Sequence, residues 1–326
     1  MPAYFTEGFF VRVPAWHGLG VVLDDYPGRE EAMRLAGHDF DLVEVPVWTG
    51  VAPESILDLD TRSIEVGWKA IKRSDNDQTL HVSQDSYTII QNSVAYDVAE
   101  ILLDNGFQYE TGITLKDGAQ CALTLLLDEP FVIKDDNSLT LPYCNLSWTH
   151  DGTGALKVRS GQVRQVCANT VAASEAEGKA LGTDFTFRHT RNWKDRVEDA
   201  KEAIKGIRGS ITVYQERMND LANLPVSDWL REEWIKTLLP IDPVRFTDRQ
   251  IRNAEGEREV LRSLFTGPTV PEAHRNTGYG LHCAGVEFFD HIRKYRDQET
   301  YVRRTLLRDE PLKANLTKMI YEVVAA

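Results

Sequence analysis

The stretch Gln108-Tyr-Glu-Thr-Gly-Ile-Thr-Leu115-Lys-Asp117-Gly118-Ala119-Gln-Cys-Ala-Leu-Thr-Leu-Leu-Leu127 decides the fold class. Two runs of strand length flank Asp117-Gly118, and Asp-Gly between such runs is the strongest short-range hairpin signal. The same punctuation recurs on either side. Asp75-Asn76-Asp77 separates Ile64–Ile71 from Thr79–Val82, and Asp135-Asp136-Asn137 leads into Leu139–Thr149. Asp151-Gly152 leads into Ala155–Ser160, and Ser160-Gly161 is expected to turn the chain into Gln162–Cys167. Upstream, Pro14–Gly20 reads as a loop, Arg29–Ala36 as a short helix, and Phe40–Trp48 as a strand whose Pro46 suits an edge. A single helix, Ser93–Asp104, interrupts the strands, with Val94, Val98, Ile101 and Leu102 on one face.

From Asn169 onward the pattern is helical. Trp193, Val197, Ala200, Ile204, Ile207, Ile211, Tyr214, Met218 and Leu221 recur at alternating spacings of four and three, a heptad seam within an expected helix Asn192–Leu221. Gly206 and Gly209 weaken it by about 1 kcal/mol each relative to Ala. Ser227–Leu239, Thr247–Phe265, Tyr279–Tyr295 and Glu310–Val324 follow as helices. Strands first and helices second make an α+β protein: an antiparallel β-meander sheet with an inserted helix, then a mostly helical C-terminal part. The expected segments are an acidic stretch 1–60, an α+β core 61–185 and a helical domain 186–326.

The 326 residues include 37 Lys+Arg and 50 Asp+Glu, a formal net charge of −13, and 42% are hydrophobic. That is enough apolar surface for a core, so disorder is excluded for most of the chain. The apolar runs are too short to cross a bilayer, and no basic-then-apolar leader opens the sequence. A cytoplasmic protein without membrane contact is expected. Cys121, Cys144, Cys167 and Cys283 form no C-x-x-C pair, and the eight histidines lack metal-ligand spacing. No phosphate-binding loop, nucleophile elbow or H-e-x-x-H pattern occurs, so neither a cofactor nor a metal nor an enzymatic reaction is expected.

Charge is unevenly spread. Residues 153–174 hold Lys157, Arg159 and Arg164 and no acid, and residues 185–196 interleave Arg188, Arg191, Lys194 and Arg196 with Phe185, Phe187 and Trp193. A two-residue turn at Ser160-Gly161 sets Arg159 opposite Gln162 and Lys157 opposite Arg164, on one side of the ribbon. Cations so gathered repel one another unless an anion or a set of acids lies across them. Asn169 and Thr170 then start a helix whose first amides favour an anion. Two readings stay open: the cations meet phosphates, or they pair with acids of residues 1–60. The aromatics offer a base-stacking platform, against which Trp193 reads as the core-facing start of the seam.

Several stretches resemble one known family. They are Trp16-His17-Gly18-Leu19-Gly20, Ser86-Tyr87 with Gln91-Asn92, His150-Asp151-Gly152, Arg164-x-Val166-Cys167-x-Asn169-Thr170, His189-Thr190 and Glu287-Phe-Phe-Asp290-His291. Together they are similar to the phage/plasmid-like proteins catalogued as a domain of unknown function, with departures at Tyr279 and Cys283. The meander, basic hairpin and following helix also resemble, at fold level alone, phage single-strand annealing proteins of the Red-beta and RecT type. These resemblances imply a mobile-element protein that binds single-stranded DNA as a homo-oligomer and anneals strands. The expected contacts are Lys157, Arg159, Arg164, Asn169, Thr170, Arg188, Arg191 and Lys194. The alternative is an acidic interaction protein that inhibits a host defence factor, with residues 1–60 as its surface.

Overall fold

The computed structural model describes residues 5–12, 20–49, 64–164, 184–204, 206–294 and 315–325. Among them the strands are β1 Phe5–Val11, β2 Val21–Leu23, β3 Leu42–Thr49, β4 Ile64–Arg73, β5 Thr79–Gln84, β6 Phe107–Leu115, β7 Gln120–Leu127, β8 Thr140–Thr149, β9 Leu156–Arg164 and β10 Asp184–Phe187. The α-helices are α1 Arg29–Leu35, α2 Asn92–Asp104, α3 Trp193–Ile204, α4 Ile207–Asn223, α5 Asp228–Leu238, α6 Asp248–Leu264, α7 Gly278–Glu287 and α8 Leu316–Ala325. The protein is α+β.

A seven-stranded sheet has the order β10-β9-β8-β7-β6-β1-β2. β1 runs antiparallel to β6 and parallel to β2. β7 occupies the middle, and all eight of its residues are buried. A strand covered on both faces needs a near-continuous apolar run rather than alternation, which Cys-Ala-Leu-Thr-Leu-Leu-Leu supplies. At the hairpin before it, Asp117 takes φ 54° and Gly118 φ 100°, the left-handed values a tight turn requires. β3, β4 and β5 form a second sheet, antiparallel throughout, in which Val45 faces Ala70 and Ala70 faces Val82. The strands expected to share one sheet over 40–167 are therefore divided between two.

Two expectations are corrected here. Leu156–Arg164 is one uninterrupted strand, and Ser160 and Gly161 are buried within it. A two-residue hairpin loop needs positive φ, and Gly161 does not adopt it, whereas Gly118 and Gly152 do. The long helix expected over 192–221 is interrupted: α3 stops at Ile204, and α4 starts after Gly206, which sits outside helical geometry at ψ 2°. Glycine has the weakest helix propensity of any residue but proline.

The chain forms two compact units, neither of them one continuous stretch. The first comprises Met1–Leu125, Asn145–Val158 and Phe185–Lys205; the second comprises Leu126–Cys144, Arg159–Asp184 and Gly206–Ala326. In the first, Phe9, Phe10, Tyr96, Leu102, Leu123 and Trp148 are buried, and α1 lies against β1 and β6. In the second, α4 to α8 gather around Met218, Leu221, Trp234, Leu261, Ala284, Phe288 and Ile320. The seam is correspondingly split, with Trp193, Val197 and Ile204 buried in the first unit and Ile207, Met218 and Leu221 in the second.

Helix starts in the second unit follow local chemistry. Ser227 accepts from the Leu230 amide, and Thr247 with Gln250 closes a reciprocal capping box. Leu221 is fully buried and also touches Gly278, so truncation leaves a cavity lined by α4 and α7. Leu221→Ala is expected to cost about 2–5 kcal/mol. Urea denaturation checks this, and a loss under about 1 kcal/mol would mean that α4 does not seat Leu221 in the core.

Candidate functional site

The first unit contains a buried polar network centred on Asn92. Gln91, extended just before α2, reaches β3: its Oε1 accepts from the Leu42 amide at 2.8 Å and its Nε2 donates to the Leu42 carbonyl at 2.9 Å. Asn92 is 1% exposed, and its Nδ2 donates to the carbonyls of His38 and Phe40, each at 3.1 Å. Its Oδ1 accepts from Trp148 Nε1 and His150 Nε2, each at 2.8 Å. An amide has two donor hydrogens and two acceptor lone pairs. All four are used.

These bonds assign the imidazole tautomers. Oδ1 only accepts, so His150 carries its proton on Nε2 and presents a bare lone pair at Nδ1, which is buried without a hydrogen-bond partner. His38 donates from Nε2 to the Ile113 carbonyl at 3.0 Å and accepts at Nδ1 from Tyr96 Oη at 2.9 Å. Burial pulls both pKa values from 6.5 down to about 3, opposed at His38 by the Ile113 carbonyl and reinforced at His150 by the other imidazoles.

Beyond His150 the chain enters a second group. Asp151 accepts from the Thr153 amide at 3.0 Å, from Thr153 Oγ1 at 2.5 Å and from Gln120 Nε2 at 2.9 Å. Burial works against its charge, but these bonds and Lys116 hold its carboxyl below the usual range. Gly152 has φ +73°, and a Cβ there would lie 2.6 Å from the His81 ring, so neither its conformation nor its space admits a side chain. His81 meets Tyr87 edge-on at 5.7 Å, and Tyr87 stacks on His189 at 4.5 Å with the rings 14° apart. His189 Nδ1 donates to the Thr88 carbonyl at 3.0 Å. Burial lowers its pKa, against the opposing pull of the Thr88 and Thr149 carbonyls. The Thr149 carbonyl lies near the ring without completing a hydrogen bond to Nε2, which is buried.

Three of the stretches that carry the family resemblance therefore meet in one place: Tyr87 with Gln91-Asn92, His150-Asp151-Gly152 and His189. Trp16–Leu19 and 165–170, with Cys167, Asn169 and Thr170, lie outside the described residues. Among the described residues no group of three or more His, Cys, Asp or Glu is arranged to hold a metal ion. The thiols of Cys121 and Cys144 are buried, which pushes their pKa up, that of Cys121 to about 12, and keeps them protonated.

The basic residues divide. Arg159 is only 5% exposed, which corrects the expectation of an open cationic hairpin. Because β9 does not turn, Lys157 and Arg164 belong to one strand and do not oppose each other; Lys157 is half-buried, and Arg164 ends the strand. Arg188, Arg191 and Lys194 are exposed between β10 and the first turn of α3. Phe187 and Trp193 are buried and Phe185 is half-buried, so two of the three aromatics of the expected stacking platform belong to the core, and the Tyr87–His189 pair stacks beside the exposed arginines. No sequence period marks that pair, which the Thr88–His189 bond, spanning 101 positions, holds together.

The two neutral histidines set an acid limit. Below pH 6.5 the unfolded chain binds protons at His38 and His150 that the folded chain refuses until about pH 3. Stability should accordingly fall as pH drops from 6.5 towards 3, by up to about 1.4 kcal/mol per pH unit for each imidazole. Urea midpoints at pH 7, 6 and 5 read this slope, to which His189 adds in the same direction, and His38→Gln should remove about a third to a half of it. A flat profile would place both imidazoles in contact with solvent.

No curated protein and no solved structure matches the chain. One family model does, over residues 79–308, which is more than half of the sequence and takes in Tyr87, Asn92, His150, Asp151, Gly152 and His189. The chain belongs to that family, described as Domain of unknown function (DUF932).

Proposed function

We propose that the protein binds single-stranded DNA, with Arg188, Arg191 and Lys194 on its phosphates. One observation carries this reading: the three cations are exposed on one short segment and, among the described residues, form no ion pair with a carboxylate. Many of the other bases are paired with acids, as in Arg29–Asp97, Lys69–Glu44, Arg73–Asp75 and Arg262–Glu232. An exposed cation left without an acid is where an external anion gains most. The net charge of −13 does not oppose this, because charges farther than about 8–10 Å are screened at physiological ionic strength. Arg159 is withdrawn from the contact set by its burial.

The resemblance to phage and plasmid proteins supplies the wider setting of this reading. In it the protein acts in the host cytoplasm and binds strands as a homo-oligomer, with annealing as the use of that binding. Neither half of the heptad seam offers itself as a self-association face, since its buried members serve cores within the chain. Assembly would therefore rest on other surfaces.

A gel shift with a forty-base single strand tests the reading. With about three phosphates neutralised, log K against log salt should slope about −2, at ~0.7 per phosphate. Arg188→Ala or Arg191→Ala should each flatten the slope by about 0.7. Absence of any shift at 50 mM salt would sink the reading and favour an acidic interaction surface in its place.

A further inference from the structure

Arg188 and Arg191 lie on a short loop between β10 and α3, and Lys194 is the second residue of α3. The loop's own backbone bonds are few: the Thr190 amide donates to the Arg188 carbonyl at 2.7 Å, and the Trp193 amide to the Thr190 carbonyl at 3.1 Å. What ties it to the rest of the unit is His189. The ring donates from Nδ1 to the Thr88 carbonyl at 3.0 Å, and the Thr88 amide donates back to the His189 carbonyl at 3.4 Å. The same ring stacks on Tyr87, which meets the edge of His81, and His81 in turn lies against the backbone of Gly152.

His189 is poorly suited to touch phosphate itself. A carbonyl only accepts, so the ring proton sits on Nδ1 and points at Thr88. Nε2, the remaining nitrogen, is a lone pair without a proton and is shielded from solvent. The exposed groups on either side, Arg188 and Arg191, have the opposite character: full charge, long flexible stems and no partner that fixes them among the described residues. Arginines on a loose loop bind an anion with a large ordering cost, and a loop fixed in advance removes the backbone's share of that cost. The half-buried clamp and two exposed cations lie within four residues of chain.

We infer that His189 is a positioning residue for this basic segment. Its two-way bond with Thr88 and its stack on Tyr87 hold the backbone that presents Arg188 and Arg191 to the nucleic acid. The consequence for binding rests on the DNA-binding reading above; the clamp itself does not.

The test compares four full-length proteins: the parent, His189→Ala, Tyr87→Phe and Arg188→Ala. Each is checked for an unchanged circular dichroism spectrum. His189→Ala should weaken binding of the forty-base strand about 5- to 10-fold while leaving the salt slope at the parent value, because no phosphate contact is lost. Arg188→Ala should flatten the slope, and Tyr87→Phe, which keeps the stack, should bind as the parent does. Parent-like affinity in His189→Ala would overturn the inference, as would a flattened slope, which would make His189 a phosphate ligand. If the parent does not bind DNA, that reading fails and the clamp is judged alone by limited trypsin digestion. Cleavage after Arg188 and Arg191 should then accelerate at least several-fold in His189→Ala and not in Tyr87→Phe. Equal cleavage in all three proteins would overturn the clamp.

Discussion

The side-chain amide of Asn92 joins three separate parts of the chain. It holds the carbonyls of His38 and Phe40 at the approach to β3, the indole of Trp148 on β8 and the imidazole of His150 just beyond that strand. None of these groups reaches water, since His38, Phe40, Asn92, Trp148 and His150 are all under 4% exposed. A buried donor or acceptor left without its partner costs about 1–3 kcal/mol, so the network is stabilising only when complete. Neither a shorter nor an apolar side chain at position 92 can fill the role. Aspartate has no amide hydrogens for the two carbonyls and would bring a buried charge.

Everything described around the candidate site follows from that arrangement. Asn92 sets the tautomer of His150, and His150 lies next to Asp151 and Gly152, against which His81 packs. His81 meets Tyr87, and Tyr87 meets His189. Burial keeps His38, His150 and His189 neutral. Apart from the Asp151 carboxylate, the interior of the site is a scaffold of neutral rings and amides, and its positive charge resides outside it, on Arg188, Arg191 and Lys194. This separation explains how a chain of net charge −13 can still present a local cationic strip.

The second unit is organised by different means. Its core is aliphatic and aromatic, and buried polar groups within it are tied singly to partners in the same unit. Tyr279 donates to Asp136 at 2.9 Å, Arg258 to the Leu239 carbonyl at 3.0 Å and His274 to the Lys134 carbonyl at 2.7 Å. Tyr279 and Cys283 are both buried in this core. A tyrosine that satisfies a buried carboxylate gives position 279 a packing role, which accounts for an aromatic residue there without appeal to a ligand.

The sequence by itself determined the local structure wherever the deciding chemistry is local. Asp117-Gly118 turns because the left-handed backbone is open to Asp and Gly. Ser227 and Thr247 start helices because a hydroxyl two or three residues before an amide can cap it. The near-continuous apolar run of β7 suits a strand covered on both faces. Tertiary structure decided what depends on distant partners. Ser160-Gly161 has turn composition, yet it lies inside β9, buried and without positive φ, because strand pairing outweighs a local preference of about 1 kcal/mol. Arg159 reads as an exposed cation and is buried for the same reason. The seam from Trp193 to Leu221 is regular in sequence but serves two units, a division that periodicity cannot express. The site is the clearest case. Tyr87, Asn92, His150 and His189 were visible as separate motif residues, but their convergence depends on hydrogen bonds spanning 58 and 101 positions, which no local pattern encodes.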